Sequence, residues 1–324
     1  MLMGMNGFVW WQGVVENRMD PLELGRCQVR ILGLHSERKS GDLNRGIPTD
    51  QLPWAYPVGA LENASMNGIG QTPLGPVEGT WVFGFFRDGE QAQDPMMLGT
   101  LGGIPAKMAN PNDGFNDPNG KYPKFTGEPD TNRLARGVTA GTVIGSRTQQ
   151  AVETPDGNWT EPTSPYSAKY PYNHVYESES GHVREFDDTP GAERIHTCHK
   201  SGTFEEIHPD GTKVTKIIGT DYEIVLNGKN AYVSGALNVT VTGDANIKVG
   251  GKTTVESAGH AEVRAPSIDV GIIGMEPAVL GNKYQSQINH ILDIFNEHKH
   301  PGSQKPTSVM EYKEARSGTV NVQS

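Results

Sequence analysis

From residue 202 onward glycine returns at a nearly constant interval. It stands at positions 202, 211, 219, 228, 235, 243, 251 and 259, with spacings of 9, 8, 9, 7, 8, 8 and 8. A β-branched residue sits two places before several of these glycines, as in Ile217, Val233, Val241 and Val249. Between them apolar and polar residues alternate, as in "ALNVTVTGDANIKVGGKTTVESAG". This is the pattern of a short-period β-solenoid. A strand of about five residues with one apolar face cannot bury that face alone. Glycine supplies the positive φ that reverses the chain, and Val, Ile and Leu at alternate positions point inward while Thr, Asn, Asp and Lys point outward. With one strand per eight-residue period, a single chain has nothing obvious to pair with. Three identical chains wound together would cover one another's edges. A plain antiparallel meander would want Asn-Gly turn chemistry at each reversal. Asn227-Gly228 is the one such pair in the run, so the intertwined homotrimer is the favoured reading.

The N-terminal third reads differently. "FVWWQGVVENR", "RCQVRILGLH", "PWAYPVGAL", "GTWVFGFFRDG" and "PMMLGTLGGI" are short alternating or apolar runs separated by turn residues. Five strands in about 100 residues predict a small barrel of the OB type, with an unclosed sandwich as the alternative. Residues 106–165 hold turn-forming clusters such as "ANPNDGFNDPNGKYP" and no sustained periodicity, and are expected to be an extended linker.

The stretch "GHVREFDDTPGAERIHTCHKSGTF" (181–204) packs three histidines, a cysteine and two adjacent aspartates together. One reading is a metal site of His196, Cys198 and Asp187. Zinc sites want a second close ligand pair, and none is nearby. The favoured reading is a structural hairpin reversing at Asp188-Thr189-Pro190-Gly191, with polar residues packed at a trimer interface. His174, His182, His208 and His260 read as ordinary strand or loop residues. Toward the C-terminus, Tyr284, Ile288, Ile291, Leu292 and Phe295 fall at helical spacing. On a three-fold axis this helix would form a short coiled coil, ended by Pro301-Gly302.

Composition narrows the function classes. Glycine (40) and proline (22) are abundant and hydrophobic residues make up only 35%, which suits short strands and exposed surfaces better than one large core. A net charge of -10 argues against nucleic acid as a partner. Cys27 and Cys198 are too far apart in sequence to suggest a disulfide framework or a zinc signature. No signal peptide is expected from "MLMGMNGFVWWQG", and no run approaches the ~18 apolar residues of a membrane-spanning helix. Synthesis and folding in a cytoplasm are therefore expected.

Several long motifs, in order, carry a resemblance: "GVVENRMDPLELGRCQVRILGLH" (13–35), "IPTDQLPWAYPV" (47–58), "GIGQTPLGPVEGTWVFGFF" (68–86), "YPYNHVYESESGHVREFDDTPGAERIH" (170–196) and "KSGTFEEIHPDGTKV" (200–214), followed by the glycine octads. The chain resembles the central spike proteins of contractile-tailed phage baseplates, the T-even type in particular. More distantly it is similar to the spikes of type VI secretion systems. The resemblance implies an all-β chain: an OB-fold hub-docking domain (1–105), an extended linker (106–165), a β-hairpin neck (166–202), an intertwined trimeric β-helix needle (203–275) and a C-terminal helix and tail (276–324). It implies a homotrimer docked to a ring of hub proteins through the OB-fold, plugging the tail tube near the tape-measure end. A tip-capping protein and contact with the host outer membrane on contraction also follow from it. The expected location is the virion tail, after assembly in the host cytoplasm.

The T-even-type spike carries a lysozyme domain between barrel and needle. Such chemistry needs two carboxylates held in a cleft, on a domain of roughly 100 residues or more. Residues 131–165 number 35, so no catalytic residue is assigned and a structural puncturing role is preferred over a peptidoglycan-degrading enzyme. The spike of a tailocin or of a type VI system is the other alternative. Some related spikes carry iron at a His-x-His motif near the tip. By that resemblance His298 and His300, six imidazoles in a trimer, are the candidate ligands for iron or another transition metal. The alternative is a solvated helix end whose histidines complement the helix dipole.

Overall fold

The computed structural model describes residues 7–39, 46–154, 157–268, 281–298 and 302. The chain divides into two units, Met1–Thr242 and Gly243–Ser324. The first begins with five strands: β1 (Val9–Asn17), β2 (Cys27–Ile31), β3 (Trp54–Pro57), β4 (Trp81–Phe86) and β5 (Pro95–Thr100). They close into a barrel in the order β1-β2-β3-β5-β4, so the expected OB-type closure is present and the open sandwich is not. Closure needs one parallel contact, β3 against β5 with Tyr56 opposite Met96; the other four pairings are antiparallel.

Alternation explains the core. Val82, Gly84 and Phe86 of β4 point inward and join Trp11, Val15, Cys27, Val29, Ile31, Ala55 and Met97. Each large side chain buried here contributes about 1.5–3 kcal/mol of gross transfer free energy. Gly84 is required by close approach: a Cβ there would lie 1.8 Å from the Met96 carbonyl oxygen and 2.7 Å from the Trp11 ring. The β1–β2 turn, "MDPLELG" in sequence, is organised by Asp20. Its carboxylate accepts the backbone N–H groups of Leu22, Leu24 and Arg26 and pairs with the Arg26 guanidinium at 2.6 Å. These bonds, the one to Arg26 foremost, hold the Asp20 carboxyl well below the usual carboxylate range.

A second polar group lies wholly inside. The side chains of Glu16 and Arg30 are fully buried and meet through two bonds, 2.6 and 3.1 Å. Arg30 also donates to the carbonyls of Ser36 and Ile47. Glu16 also accepts from the Thr49 hydroxyl at 2.8 Å and the Phe115 backbone N–H at 2.9 Å. Phe115 in turn stacks on Trp81, with centroids 6.2 Å apart. The segment after β5 is thereby fastened to the barrel wall, although it has no sustained periodicity. The rest of it carries a short hairpin, β6 (Ala151–Thr154) with β7 (Gly157–Thr160).

The neck is a five-stranded antiparallel meander, β8 (Asn173–Glu177), β9 (Val183–Asp187), β10 (Arg194–Cys198), β11 (Phe204–Ile207) and β12 (Lys213–Lys216). The sequence reading had a hairpin ending at residue 202. The structure extends the sheet across Gly202 and Gly211, the first two glycines of the repeat. The reason is turn chemistry. All four reversals close on a glycine of positive φ (Gly181, Gly191, Gly202, Gly211), and the last uses an Asp210-Gly211 pair that a search for Asn-Gly passes over. At the second reversal Asp187 makes the expected Asx bond, its Oδ1 accepting from Thr189 N at 3.0 Å. The Ser178–Gly181 turn leans on the barrel. There Arg18 holds the Glu179 carboxylate through two 2.8 Å bonds, Tyr122 donates its hydroxyl to the same carboxylate, and Lys124 donates to the Glu179 carbonyl at 3.0 Å.

Beyond β12 the chain from Ile217 to Thr242 forms no strand. The second unit continues in the same way from Gly243 to Ile268, and its described residues include one helix, α1 (Gly281–Glu297).

Candidate assembly surface and neck core

The repeat is where the structure departs most from an ordinary domain. Every residue from Ile217 to Ile268 is exposed. Apolar residues stand at alternate positions in Tyr222, Ile224 and Leu226, in Leu237, Val239 and Val241, and in Ile247 and Val249. Val239, Ile247, Val255 and Val263 recur every eight residues and are 76, 90, 88 and 76% exposed. Isolated surface apolar residues need no explanation, but a periodic file of them marks an interaction surface. The glycines differ from expectation. Gly219, Gly228, Gly235, Gly243, Gly251 and Gly259 lie outside the positive-φ region, and a Cβ on any of them would meet no atom within 4 Å. In the single chain the octads therefore do not reverse the backbone as Gly202 and Gly211 do.

Helix α1 places Tyr284, Ile288, Ile291 and Phe295 at spacings of four, three and four, with Leu292 and Ile294 beside them. This is the residue spacing that a coiled-coil seam uses, broadened on both sides. His298 follows three residues after Phe295, and its Nδ1 lies 2.5 Å from the Phe295 carbonyl oxygen. A carbonyl oxygen only accepts, so Nδ1 is the donor in that bond. His300, its expected partner, lies outside the described residues.

The 181–204 stretch resolves into a buried polar core. Its inward residues on β10 are Arg194, His196 and Cys198, while Ile195 faces out. Glu185 on β9 and Glu206 on β11 stand directly opposite His196. His196 Nδ1 lies 2.6 Å from Glu185, and His196 Nε2 lies 2.8 Å from Nη2 of Arg147. An arginine N–H only donates, so Nε2 accepts and Nδ1–H donates to Glu185. Arg194 bridges the two glutamates at 2.7 and 3.0 Å. Arg147 reaches Glu206 at 2.6 Å, its guanidinium carbon 3.7 Å from the centre of the Phe204 ring. Asn173 and Ser164 each donate a further bond to Glu185 and Glu206. Two arginines thus balance two carboxylates around a neutral imidazole.

The protonation energetics agree with that arrangement. Burial raises the Glu185 and Glu206 carboxyls, but bonds from His196 and Arg147 and the charge of Arg194 outweigh it, leaving both below the ordinary value. Burial, partly opposed by Glu185, lowers His196. Both ring nitrogens of His196 are engaged, and Cys198 Sγ lies 3.3 Å from the His199 carbonyl oxygen. Among the described residues no three His, Cys, Asp or Glu side chains are placed to hold a metal ion. Arg147 was not visible as a functional residue in the sequence. It comes from the aperiodic segment, and no pattern links it to strand residues 49 and 59 positions away. Cys27 and Cys198 are both free and buried.

On the barrel exterior Phe8, Trp10 and Phe85 form an exposed aromatic cluster with centroids 5.3–5.9 Å apart. The loop after β3 carries fully exposed Leu61 and Met66. It is held in shape by Asn63, which accepts from Ser65 N and donates to the Gln71 carbonyl.

Comparison with known proteins places these features. Residues 33–180 match the model of the Gp5 N-terminal OB domain. The chain is 50% identical over 274 residues to protein Gp5 of Vibrio phage KVP40, covering 74% of this chain and 64% of that one. It is 47% identical over 142 residues to the pre-baseplate central spike protein Gp5 of Enterobacteria phage T4, covering 44% of this chain and 24% of that one. The chain therefore spans somewhat less than two thirds of one relative and about a quarter of the other. Residues 33–180 thus match a Gp5 N-terminal OB domain, and the chain is similar to two phage Gp5 proteins, one of them named a pre-baseplate central spike protein.

Proposed function

We propose that the chain is a structural, non-enzymatic spike at the centre of a phage baseplate, working as a homotrimer that punctures the host cell envelope. The observation that carries this reading is the file of apolar residues, eight apart, exposed along 217–268. Each such side chain buried against two further copies would remove apolar surface from water and pair a strand edge at the same time. Three interwound chains make a needle that no single chain can leave without breaking ladders to both others. Its usefulness lies in a high barrier to unfolding. The seam of α1 would close the assembly as a three-stranded coil. Six imidazoles from His298 and His300 would then surround the axis as ligands for iron or another transition metal. The barrel docks to the ring of hub proteins through the Phe8–Trp10–Phe85 cluster, aromatic residues being enriched at interface cores. It thereby plugs the tail tube near the tape-measure end, while a tip-capping protein meets the host outer membrane first. Assembly takes place in the host cytoplasm and the product resides in the virion tail.

The test is the solution mass of the full chain, before and after brief warming in detergent. Three chains of 35.1 kDa give about 105 kDa. A detergent-resistant trimer supports the reading, and a monomer refutes it. A peptidoglycan zymogram with a clear zone would overturn the non-enzymatic part alone.

A further inference from the structure

On either side of the β6–β7 hairpin the aperiodic segment meets the neck sheet, at Arg147–Thr148 and at Glu161–Ser164, and these two stretches form a strap that few side chains fasten. Arg147 enters between His196 and Glu206. Ser164 bonds Glu206, and Lys216 reaches back from β12 to Glu161 and the Thr148 carbonyl. The Arg147 fastening has a polarity. Its guanidinium can meet His196 only while Nε2 keeps a lone pair, because Nδ1–H is committed to Glu185. A proton on Nε2 would set N–H against N–H and a second positive charge against Arg147.

We propose that the His196–Arg147 contact is an acid-operated latch: protonation of His196 expels Arg147 and frees the strap around Arg147 from the neck sheet. The charged and titratable groups facing His196 are Glu185 on β9, Arg194 and Cys198 on β10, Glu206 and His208 on β11, Tyr166 beyond the strap, and Arg147 itself. Glu185 and Glu206 are held ionised, burial keeps the Cys198 thiol protonated, and the arginines do not titrate. Tyr166 is pushed up to about 12 by burial. His208 lies 3.3 Å from Glu206 and touches the carboxylate rather than Arg147. The folded, closed state holds His196 below its ordinary value of 6.5, so it takes up the proton less readily than the open state. The latch is therefore fully engaged above about 6.5, and each pH unit below that shifts the balance toward opening by up to about tenfold.

The test is hydrogen exchange of strap peptides in the full-length protein from pH 8 to pH 5, corrected for intrinsic exchange. Protection of the strap should fall by up to tenfold per unit below about pH 6.5 while β1–β5 stays level. His196→Gln, whose amide donates and accepts without titrating, should flatten the strap profile; His208→Gln should leave it unchanged. A strap profile that is flat in the wild-type protein, unchanged in H196Q or abolished in H208Q overturns the latch. Should H196Q fail to fold, the wild-type and H208Q profiles decide it by themselves.

Discussion

Replacing Glu16 with alanine tests whether the barrel depends on its interior ion pair. The carboxylate is fully buried and holds four donors: two from Arg30, the Thr49 hydroxyl and the Phe115 backbone N–H. Removing it strands the Arg30 charge inside. Breaking one partner of a buried pair costs about 3–5 kcal/mol, and a buried N–H left unsatisfied costs about 1–3. The terms overlap because Arg30 keeps the Ser36 and Ile47 carbonyls. A total of about 4 kcal/mol is expected. For a barrel of about 100 residues each kcal/mol is worth roughly 4–8 °C, so the barrel transition should fall by about 20 °C or more. Urea unfolding of the full chain, followed by exchange of β1–β5 amides, reads the loss. A cycle of E16A, R30A and the double variant should give a coupling of about 2–3 kcal/mol. A loss below about 1 kcal/mol in E16A, or no coupling, would show that water or neighbouring groups satisfy Arg30 equally well and would refute the argument.

Acid should unlock the neck for a second reason, at lower pH than the latch. Glu185 and Glu206 are depressed below the ordinary 4.5, so their contribution is complete above that value and is lost as pH falls through their lower folded values; near-ultraviolet circular dichroism of the neck should show a decline below pH 4.5 that is separate from any change on strap release above pH 5. Burial pushes the Cys27 thiol up to about 12 and raises Cys198 as well. Neither should react with iodoacetamide at pH 8 until denaturant is added, and mass spectrometry showing rapid labelling of the folded protein would contradict the buried placement of both.

The barrel was legible because its strands obey the rule that sequence reading relies on, with apolar residues inside and alternation along the strand. Its closure was less so, since the parallel contact of Tyr56 with Met96 joins segments about 40 residues apart with nothing in either to announce the other. The neck strands alternate too, but with charge inward. Glu185, Arg194, His196 and Glu206 occupy positions that pattern reasoning assigns to solvent, while Ile195 takes the outer face. A polar core satisfied pair by pair has no hydropathy signature, so His196 was read as a hairpin residue packed at a trimer interface, with a metal site as the alternative, and Arg147 was not noticed. The octads were visible as a period, yet periodicity names a repeat without naming what pairs with it. At Gly202 and Gly211 the partner is the adjacent strand of the same chain. From Gly219 onward it is not, and only the exposure of the apolar file points to where it comes from.

The tie between Arg18 and Glu179 spans 161 residues of sequence in one fork of hydrogen bonds. In engineering terms it is a cross-brace. Tyr122 and Lys124 reinforce that fork, so barrel and neck sheet are joined at the Ser178–Gly181 turn independently of the strap. The strap's length and its attachments can then vary without loosening that joint.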